Sequence, residues 1–193
     1  MTDTIFKVYF LIWPIAAYAI RMPSLKQKRQ IEVTDSRLTR LETLLNVLAF
    51  VGMQIIPLIY VFTPWLDIAD YHRPTWVGWI GAALFAVALW LLWRAHVDLG
   101  RNWSPTLQVM EQHALVTRGI YGTIRHPIYA AHWLWAIGQA LLLPNWIAGL
   151  AGLASFLPIY VFRIPCEERM MLEHFGEAYR SYMGRTGRVI PRL

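Results

Sequence analysis

Long runs of apolar residues constrain this chain more than any other feature, because about 18 or more consecutive apolar residues indicate a membrane span. Five runs of about this length occupy residues 5–20, 41–62, 76–93, 127–143 and 145–162. In the whole chain 56% of the residues are hydrophobic and the mean hydropathy is +0.37, whereas soluble domains are roughly 45–50% apolar. The sequence therefore predicts an all-α integral membrane protein with five transmembrane helices.

The last two apolar runs are separated only by Pro144. At ~1.5 Å rise per residue, each run would form a helix of roughly 26–27 Å, marginally enough to cross a hydrocarbon core of about 30 Å. A single helix through both runs would greatly exceed the thickness of the bilayer. The sequence therefore predicts a tight helical hairpin in the C-terminal half of the chain.

Basic residues are distributed unevenly among the segments that connect the apolar runs. Six of the 18 Lys and Arg residues lie in 21–40, four in 94–125 and six in 163–193, whereas only Lys7 and Arg73 lie elsewhere. Five spans put the three basic segments on one side of the membrane, which the positive-inside rule identifies as the cytoplasm. We therefore predict a multi-pass protein with its N-terminus outside and its C-terminus in the cytoplasm. The net charge of +6 is explained by these loops without a nucleic-acid partner.

Two polar segments, 94–126 and 163–193, fall on the same predicted face of the membrane. Residues 1–193 contain no internal repeat and no separable soluble domain, so we predict a single membrane domain with a small cytoplasmic cap, which would have to hold any cofactor. The single cysteine, Cys166, excludes an internal disulfide and a cysteine-based metal cluster. No nucleotide-binding loop or zinc-protease motif occurs, and we predict no metal site.

Arg125-His126-Pro127-Ile128-Tyr129 and Glu167-Glu168 flank the predicted hairpin. Pro127 suits the first turn of a helix, where a missing N–H costs nothing, so Arg125 and His126 lie at the positive end of the helix dipole. The hairpin brings the two glutamates to the same face, and carboxylates near lipid require cationic partners. A shared site is favoured over the alternative in which Arg125 contacts lipid phosphates, His126 caps the helix and the glutamates form an ordinary surface pair.

Other polar residues carry weaker indications. Residues 102–121 are typical of a loop with a helical or strand element, or of a helix on the membrane surface. His113 lacks a partner at ligand spacing, so by its sequence context it is interpreted as structural. Gln54, His96 and Gln139 lie in or near the spans, where hydrogen bonds between helices are favoured over substrate contacts.

Ordered motifs in the C-terminal half complete the pattern. They are Leu99-Gly100, Asn102-Trp103-Ser104, the stretch from His113 to Tyr121, Arg125-His126-Pro127-Ile128-Tyr129, Arg163-Ile164-Pro165-Cys166-Glu167-Glu168, the stretch from Phe175 to Tyr182, and Arg188-Val189-Ile190-Pro191. In these residues, about half of the chain, the sequence resembles the isoprenylcysteine carboxyl methyltransferase family, particularly its short prokaryotic five-span members. The resemblance implies a location in the prokaryotic inner membrane.

The same resemblance implies a methyltransferase that uses S-adenosyl-L-methionine. By motif position, the cofactor would be bound by His113, Leu115, Val116, Gly119, Tyr121, His126, Tyr129, Glu167 and Glu168. Catalysis would involve Arg125, Arg163 and Glu167, and one of the two arginines would hold the acceptor carboxylate in a bidentate grip.

The expected acceptor is a lipophilic small molecule or a prenylated substrate that enters from the surrounding membrane lipids. A carboxylate acceptor is favoured, as in isoprenylcysteine O-methylation, because a carboxylate at neutral pH needs no general base. Three alternatives stay open: a phospholipid amine N-methyltransferase, a membrane sterol-type reductase that uses a nicotinamide cofactor, and a non-enzymatic membrane lipid-binding protein.

Overall fold

The computed structural model describes residues 2–28, 33–36, 40–100, 108–110 and 115–192. Its helices are α1 (Thr2–Lys28), α2 (Arg40–Phe50), α3 (Ile56–Phe62), α4 (Thr75–Leu99), α5 (Pro127–Leu142), α6 (Trp146–Phe175) and α7 (Glu177–Arg185). A π-helical turn, Val51–Ile55, joins α2 to α3, and 3-10 turns occur at Asp67–Ala69 and Gly119–Gly122. The predicted all-α architecture is confirmed.

One short antiparallel sheet accompanies the helices. Strand β1 (Val33–Ser36) pairs with strand β2 (Gln108–Met110), and Ser36 lies opposite Gln108. Strand β2 falls in the 102–121 segment, for which a strand was one of the predicted options. The pairing connects the segment after α1 to the segment after α4.

Among the residues that the structure describes, four stretches are long and apolar enough to cross a membrane, namely Thr4–Pro23, Arg40–Phe62, Thr75–Leu99 and Trp146–Phe175. Helix α5 has only 16 residues and is shorter than these. It nevertheless packs along both α4 and α6, and its end at Leu142 is followed closely by the start of α6 at Trp146. The predicted hairpin is therefore confirmed. That α5 also crosses the membrane, which would bring the number of spans to five, stays a prediction.

Helices α4 and α6 continue well beyond their apolar runs. Helix α4 reaches Leu99 rather than ending near residue 93, and α6 reaches Phe175 rather than ending near 162. Each helix ends at a glycine with positive φ, Gly100 at 55° and Gly176 at 54°, a conformation that glycine adopts without strain. Glu167 and Glu168, which belong to the predicted polar segment 163–193, consequently lie on a regular helix.

Asn145 fixes the turn of the hairpin. Its side-chain oxygen caps α6 by accepting hydrogen bonds from the N–H groups of Ile147 (3.1 Å) and Ala148 (2.8 Å). Its amide nitrogen donates to the carbonyl of Leu66 (2.6 Å) and to Asp70 Oδ1 (2.7 Å). The hairpin turn and the α3–α4 loop therefore lie at the same end of the bundle.

The π-helical turn is accommodated by a side chain from the neighbouring helix. Within it the N–H of Ile56 bonds to the carbonyl of Val51, and in that register the next donor would be Pro57, which has no N–H. The carbonyl left over is that of Gly52, and it accepts a hydrogen bond from Gln139 Nε2 at 3.1 Å. The prediction that Gln139 bonds between helices is confirmed.

Aromatic side chains form the contact of α1 with α4 and α5. Phe6, Phe10 and Trp13 are almost completely buried and follow the spacing of one helical face. The rings of Trp13 and Trp135 have centroids 4.5 Å apart, and those of Phe10 and Phe85 are 5.8 Å apart. This packing holds α1 against the hairpin.

Candidate functional site

Glu168 is the centre of a buried ionic cluster at one end of the α5–α6 hairpin. Arg125 Nε donates to Glu168 Oε1 at 2.7 Å, and Arg188 Nη2 donates to Oε2 at 2.5 Å. His126 Nε2 lies 3.2 Å from Oε1. The Glu168 side chain is only 6% exposed, and a carboxylate is tolerated at such burial only with partners of opposite charge. The hydrogen bond to Glu168 raises the pKa of Arg188, so that guanidinium stays charged.

The start of α5 presents Arg125 and His126 to this cluster. Pro127 occupies the first turn of α5, and the His126 side chain makes no capping hydrogen bond. Arg125 is half-buried and bonded to Glu168. The structure therefore brings Arg125 and His126 to Glu168, with no capping bond from His126, and their shared role as a site stays a prediction.

A C-terminal strap, residues 186–188, completes the cluster. The N–H of Arg125 donates to the carbonyl of Gly187, and that of His126 donates to the carbonyl of Arg188, both at 2.9 Å. Arg125 Nη1 also donates to the carbonyl of Thr186 at 2.6 Å. These hydrogen bonds position Arg188 next to Glu168. From the sequence alone Arg188 is one residue of a motif, and no contact is predicted for it.

Glu167 differs from its neighbour in having an accessible side. Tyr129 Oη donates to Glu167 Oε2 at 2.8 Å, and His126 Nδ1 lies 3.8 Å from Oε1. The Glu167 side chain is 29% exposed, and none of the described arginines forms an ion pair with it. The rings of His126 and Tyr129 meet edge to face with centroids 5.5 Å apart. The result is a carboxylate beside two aromatic rings, a set of groups suited to a cationic ligand.

Asp98 on α4 anchors the turn at Gly119–Gly122. Its Oδ2 accepts the N–H of Ile120 at 2.8 Å, and its Oδ1 pairs with Arg94 at 2.9 Å. Gly119 has φ of 61°, and a Cβ there would clash with the Asp98 carboxylate. A glycine is therefore required for the turn to approach α4.

Tyr121 in the same turn is buried beneath the site. Its carbonyl accepts the hydroxyl of Tyr182 at 2.7 Å, which ties the turn to α7. Burial, together with the nearby charge of Glu167, raises the pKa of Tyr121 well above its usual value. Its phenol consequently stays neutral. Leu115 and Val116 precede this turn and are half-buried. His113 lies outside the described residues.

Arg163 lies on α6 but turns toward α2. Its Nη1 donates to Asn46 Oδ1 at 3.2 Å, and its Nη2 pairs with Glu42 Oε1 at 3.6 Å. Glu42 is a buried acid in the first turn of α2. Glu42 is not among the site residues predicted from the sequence, although a lone glutamate at the start of an apolar run signals a cationic partner.

The structure thus brings together five predicted site residues and one unpredicted one. The five are Arg125, His126, Tyr129, Glu167 and Glu168, and the sixth is Arg188. Arg163 stands apart with its partners on α2.

Comparison with known proteins assigns the family. The sequence profile described as "Isoprenylcysteine carboxyl methyltransferase (ICMT) family" matches residues 79–173. Protein-S-isoprenylcysteine O-methyltransferase B of Arabidopsis thaliana is 29% identical over 118 residues, 60% of this chain and 60% of that protein. The Schizosaccharomyces pombe protein-S-isoprenylcysteine O-methyltransferase is 35% identical over 101 residues, 51% of this chain and 43% of that protein.

A solved structure gives the same assignment. The structure of the eukaryotic intramembrane Ras methyltransferase ICMT matches with a TM-score of 0.55 and 29% identity, over 80% of this chain and 54% of that one. The chain thus spans less than two thirds of the length of these relatives. The profile match includes Arg125, His126 and Glu168 of the ionic cluster, whereas Arg188 lies outside it. Residues 79–173 of the chain belong to the isoprenylcysteine carboxyl methyltransferase family.

Proposed function

We propose that this protein is a methyltransferase that uses S-adenosyl-L-methionine and methylates the carboxylate of a lipophilic acceptor from the bilayer. Membership of the family supports the reaction class. The observation that carries the proposal is the position of Glu167, a partly exposed carboxylate fixed by Tyr129 and set beside the His126 ring. The acceptor class follows the names of the relatives, which act on S-isoprenylcysteine.

The residues present fit this methyl donor. S-adenosyl-L-methionine carries positive charge on its sulfonium and amino groups, and Glu167 together with the rings of Tyr129 and His126 would hold such charges. Glu168 is already engaged by Arg125, His126 and Arg188, so we assign it to positioning those side chains. We assign the rest of the donor pocket to the segment that runs from His113 through Leu115, Val116 and Gly119 to Tyr121.

The proposed reaction requires little acid–base catalysis from the protein. When bound, the donor supplies a sulfonium methyl group, whose transfer breaks a C–S bond, forms a C–O bond with the acceptor carboxylate and leaves a neutral thioether. The carboxylate is already ionised, so no side chain must remove a proton. The residues of the site align the two partners and exclude water from the nucleophile.

We further propose five spans, with α5 as the fourth, the N-terminus outside and the C-terminus in the cytoplasm of a prokaryotic inner membrane. Three pairings support this count. The β1–β2 sheet joins the two predicted cytoplasmic segments, Asn145 joins the two predicted outer ones, and the strap joins the tail to the start of α5. Donor and acceptor would then reach the site from the cytoplasm and the bilayer respectively.

Calorimetry with S-adenosylhomocysteine and S-adenosyl-L-methionine tests the donor on the detergent-solubilised protein. We expect saturable binding of both, and absence of binding at millimolar ligand would refute the proposal. Transfer of a labelled methyl group to an S-farnesylcysteine carboxylate, compared with phosphatidylethanolamine, tests the acceptor. A base-labile product identifies an ester, whereas a base-stable product formed on phosphatidylethanolamine would identify the amine N-methyltransferase instead.

A further inference from the structure

Arg21, near the end of α1, lies inside the helix bundle with one polar partner. Its Nη2 lies 2.8 Å from His132 Nε2 on α5. Its Nε is shielded from solvent and has no hydrogen-bond partner. A guanidinium carries five N–H donors, and among the described residues Arg21 has a partner for Nη2 and none for Nε. An incompletely partnered cation at membrane depth is costly unless an anion completes it.

The partner of Arg21 does not neutralise it. His132 Nδ1 lies 2.6 Å from the carbonyl of Ile128, an acceptor, so Nδ1 must carry the proton of the imidazole. Nε2 then offers its lone pair to Arg21, and His132 is neutral. The pair of side chains therefore retains the full positive charge of the guanidinium.

Arg21 is set apart from the other arginines by this unbalanced charge. Among the side chains that the structure describes, four half-buried arginines lie at the end of the bundle that carries the site, and three of them have a carboxylate partner. Those pairs are Arg94–Asp98, Arg125–Glu168 and Arg163–Glu42. Only Arg21 lacks one among the described residues. Arg125 and Arg163, the two arginines predicted to bind the acceptor, are already paired with carboxylates.

The position of Arg21 connects it to Glu167. His132 follows Tyr129 by three residues, which places the two side chains on neighbouring parts of one helix face. Phe156 of α6 contacts both, with ring centroids 5.4 Å from His132 and 6.2 Å from Tyr129. The Arg21–His132 pair is thus about one helical turn, roughly 5 Å, deeper along α5 than the Tyr129–Glu167 pair.

An apolar cavity adjoins the same stretch of α1. Ile20 and Pro23 line it together with Trp93, His96 and Val97 of α4, and its volume is about 530 Å³. A hydrocarbon chain would find apolar walls there.

We propose that Arg21, held by His132, binds the carboxylate of the lipophilic acceptor and selects anionic over neutral acceptors. The proposal rests on the function proposed above, because it names the group that recognises the acceptor in that reaction. A guanidinium recognises a carboxylate through two parallel N–H···O bonds. It adds to the site a residue from α1, outside the region that matches the family profile.

Binding measurements without methyl donor test this assignment. The probes are an S-farnesylcysteine carboxylate and the matching carboxamide, titrated into the full-length protein in detergent. We expect wild type to bind the carboxylate about 10- to 100-fold more tightly than the amide. Arg21→Gln should bind both probes equally. Arg21→Lys should show an intermediate preference, because an ammonium keeps the charge but loses the bidentate geometry.

Two controls keep the result decisive. Arg185→Gln, at an exposed position on α7, should retain the wild-type preference. S-adenosylhomocysteine should bind Arg21→Gln as it binds wild type, which shows a folded donor site; if that variant does not fold, Arg21→Lys is read in its place. An undiminished carboxylate preference in a variant that still binds S-adenosylhomocysteine would overturn the role of Arg21 alone. Failure of wild type to bind any nucleoside would overturn the proposed function.

Discussion

Tyr129 donates its hydroxyl to Glu167 at 2.8 Å across the α5–α6 hairpin. The bond orients the carboxylate that the proposed donor site needs, because it fixes one oxygen and leaves the other beside His126. Helix α5 supplies the donor of this bond and helix α6 supplies its acceptor. The geometry of the hairpin therefore sets the geometry of the site.

Glu167→Gln should weaken binding of the methyl donor by about 10- to 100-fold, since a charged partner contributes roughly 1.5–3 kcal/mol. The loss should be larger for S-adenosyl-L-methionine than for S-adenosylhomocysteine, which has no sulfonium charge. Calorimetry with both nucleosides measures the difference. Glu177→Gln is the matched control, since that side chain is 82% exposed on α7. Equal affinities in the Glu167 variant and wild type would place the donor elsewhere.

Tyr129→Phe should have a smaller effect, because it removes one hydrogen bond and keeps both the ring and the Glu167 charge. We expect the affinity for S-adenosylhomocysteine to fall by about fivefold, in line with ~1 kcal/mol for a single hydrogen bond. Calorimetry measures it. The double variant Tyr129→Phe/Glu167→Gln should lose little more than Glu167→Gln alone. Fully additive losses would show that the two residues act independently.

Glu168→Gln should destabilise the folded protein rather than alter donor contacts directly. It leaves Arg125 at the centre of the site without its carboxylate, and loss of one partner of a buried ion pair costs about 3–5 kcal/mol. A lower apparent Tm in detergent checks this. Arg188→Gln should lower the Tm far less, because the Arg188 side chain is 42% exposed and exposed pairs contribute at most about 1 kcal/mol. Equal Tm values for Glu168→Gln and wild type would contradict the prediction.

Gly52→Ala should push the π-helical turn Val51–Ile55 away from α6. A Cβ at Gly52 would lie 2.5 Å from the carbonyl oxygen of Ala151 and would also overlap Ser155, and overpacking typically costs about 1–3 kcal/mol. Gly184→Ala is the control, because a Cβ there meets nothing within 4 Å. Thermal unfolding of both variants gives the comparison. A Tm of Gly52→Ala equal to that of Gly184→Ala would show that the helices adjust without strain.

Cysteine labelling in intact cells tests the five-span topology. In a Cys166→Ser background, Ile68→Cys in the α3–α4 loop should react with a membrane-impermeant thiol reagent, because Ile68 is 94% exposed and its loop is predicted to face outward. Glu177→Cys on α7 should react only after the cells are opened. Labelling of both positions in intact cells would mean that the chain crosses the membrane an even number of times between them.

The hairpin and the core of the site could be predicted from the sequence because both depend on local signals. Pro144 divides an apolar run, and Arg125-His126 and Glu167-Glu168 stand at its two ends. Run lengths alone therefore bring these charges together. Gln139 also bonds between helices, as its polar character inside apolar surroundings predicts.

What could not be predicted depends on contacts between distant parts of the chain. Arg163 is predicted from the sequence to act in catalysis, yet it bonds to Glu42 and Asn46 on α2. Nothing in the sequence fixes which face of α2 meets α6. The Arg21–His132 contact likewise depends on how α1 packs. Helix ends were misjudged because the α-helical hydrogen bonds of α4 and α6 continue after apolar residues give way to polar ones.

The strap at residues 186–188 has a consequence for the order of assembly. A ribosome releases these residues only after every helix of the hairpin has been made, and the membrane segments insert as they emerge. The backbone N–H groups of Arg125 and His126 therefore stay hydrated at the membrane surface until Gly187 and Arg188 have been synthesised and can accept their hydrogen bonds. Insertion into the bilayer therefore precedes completion of the site. A nascent chain that is already in the membrane still lacks Arg188, one of the partners of Glu168.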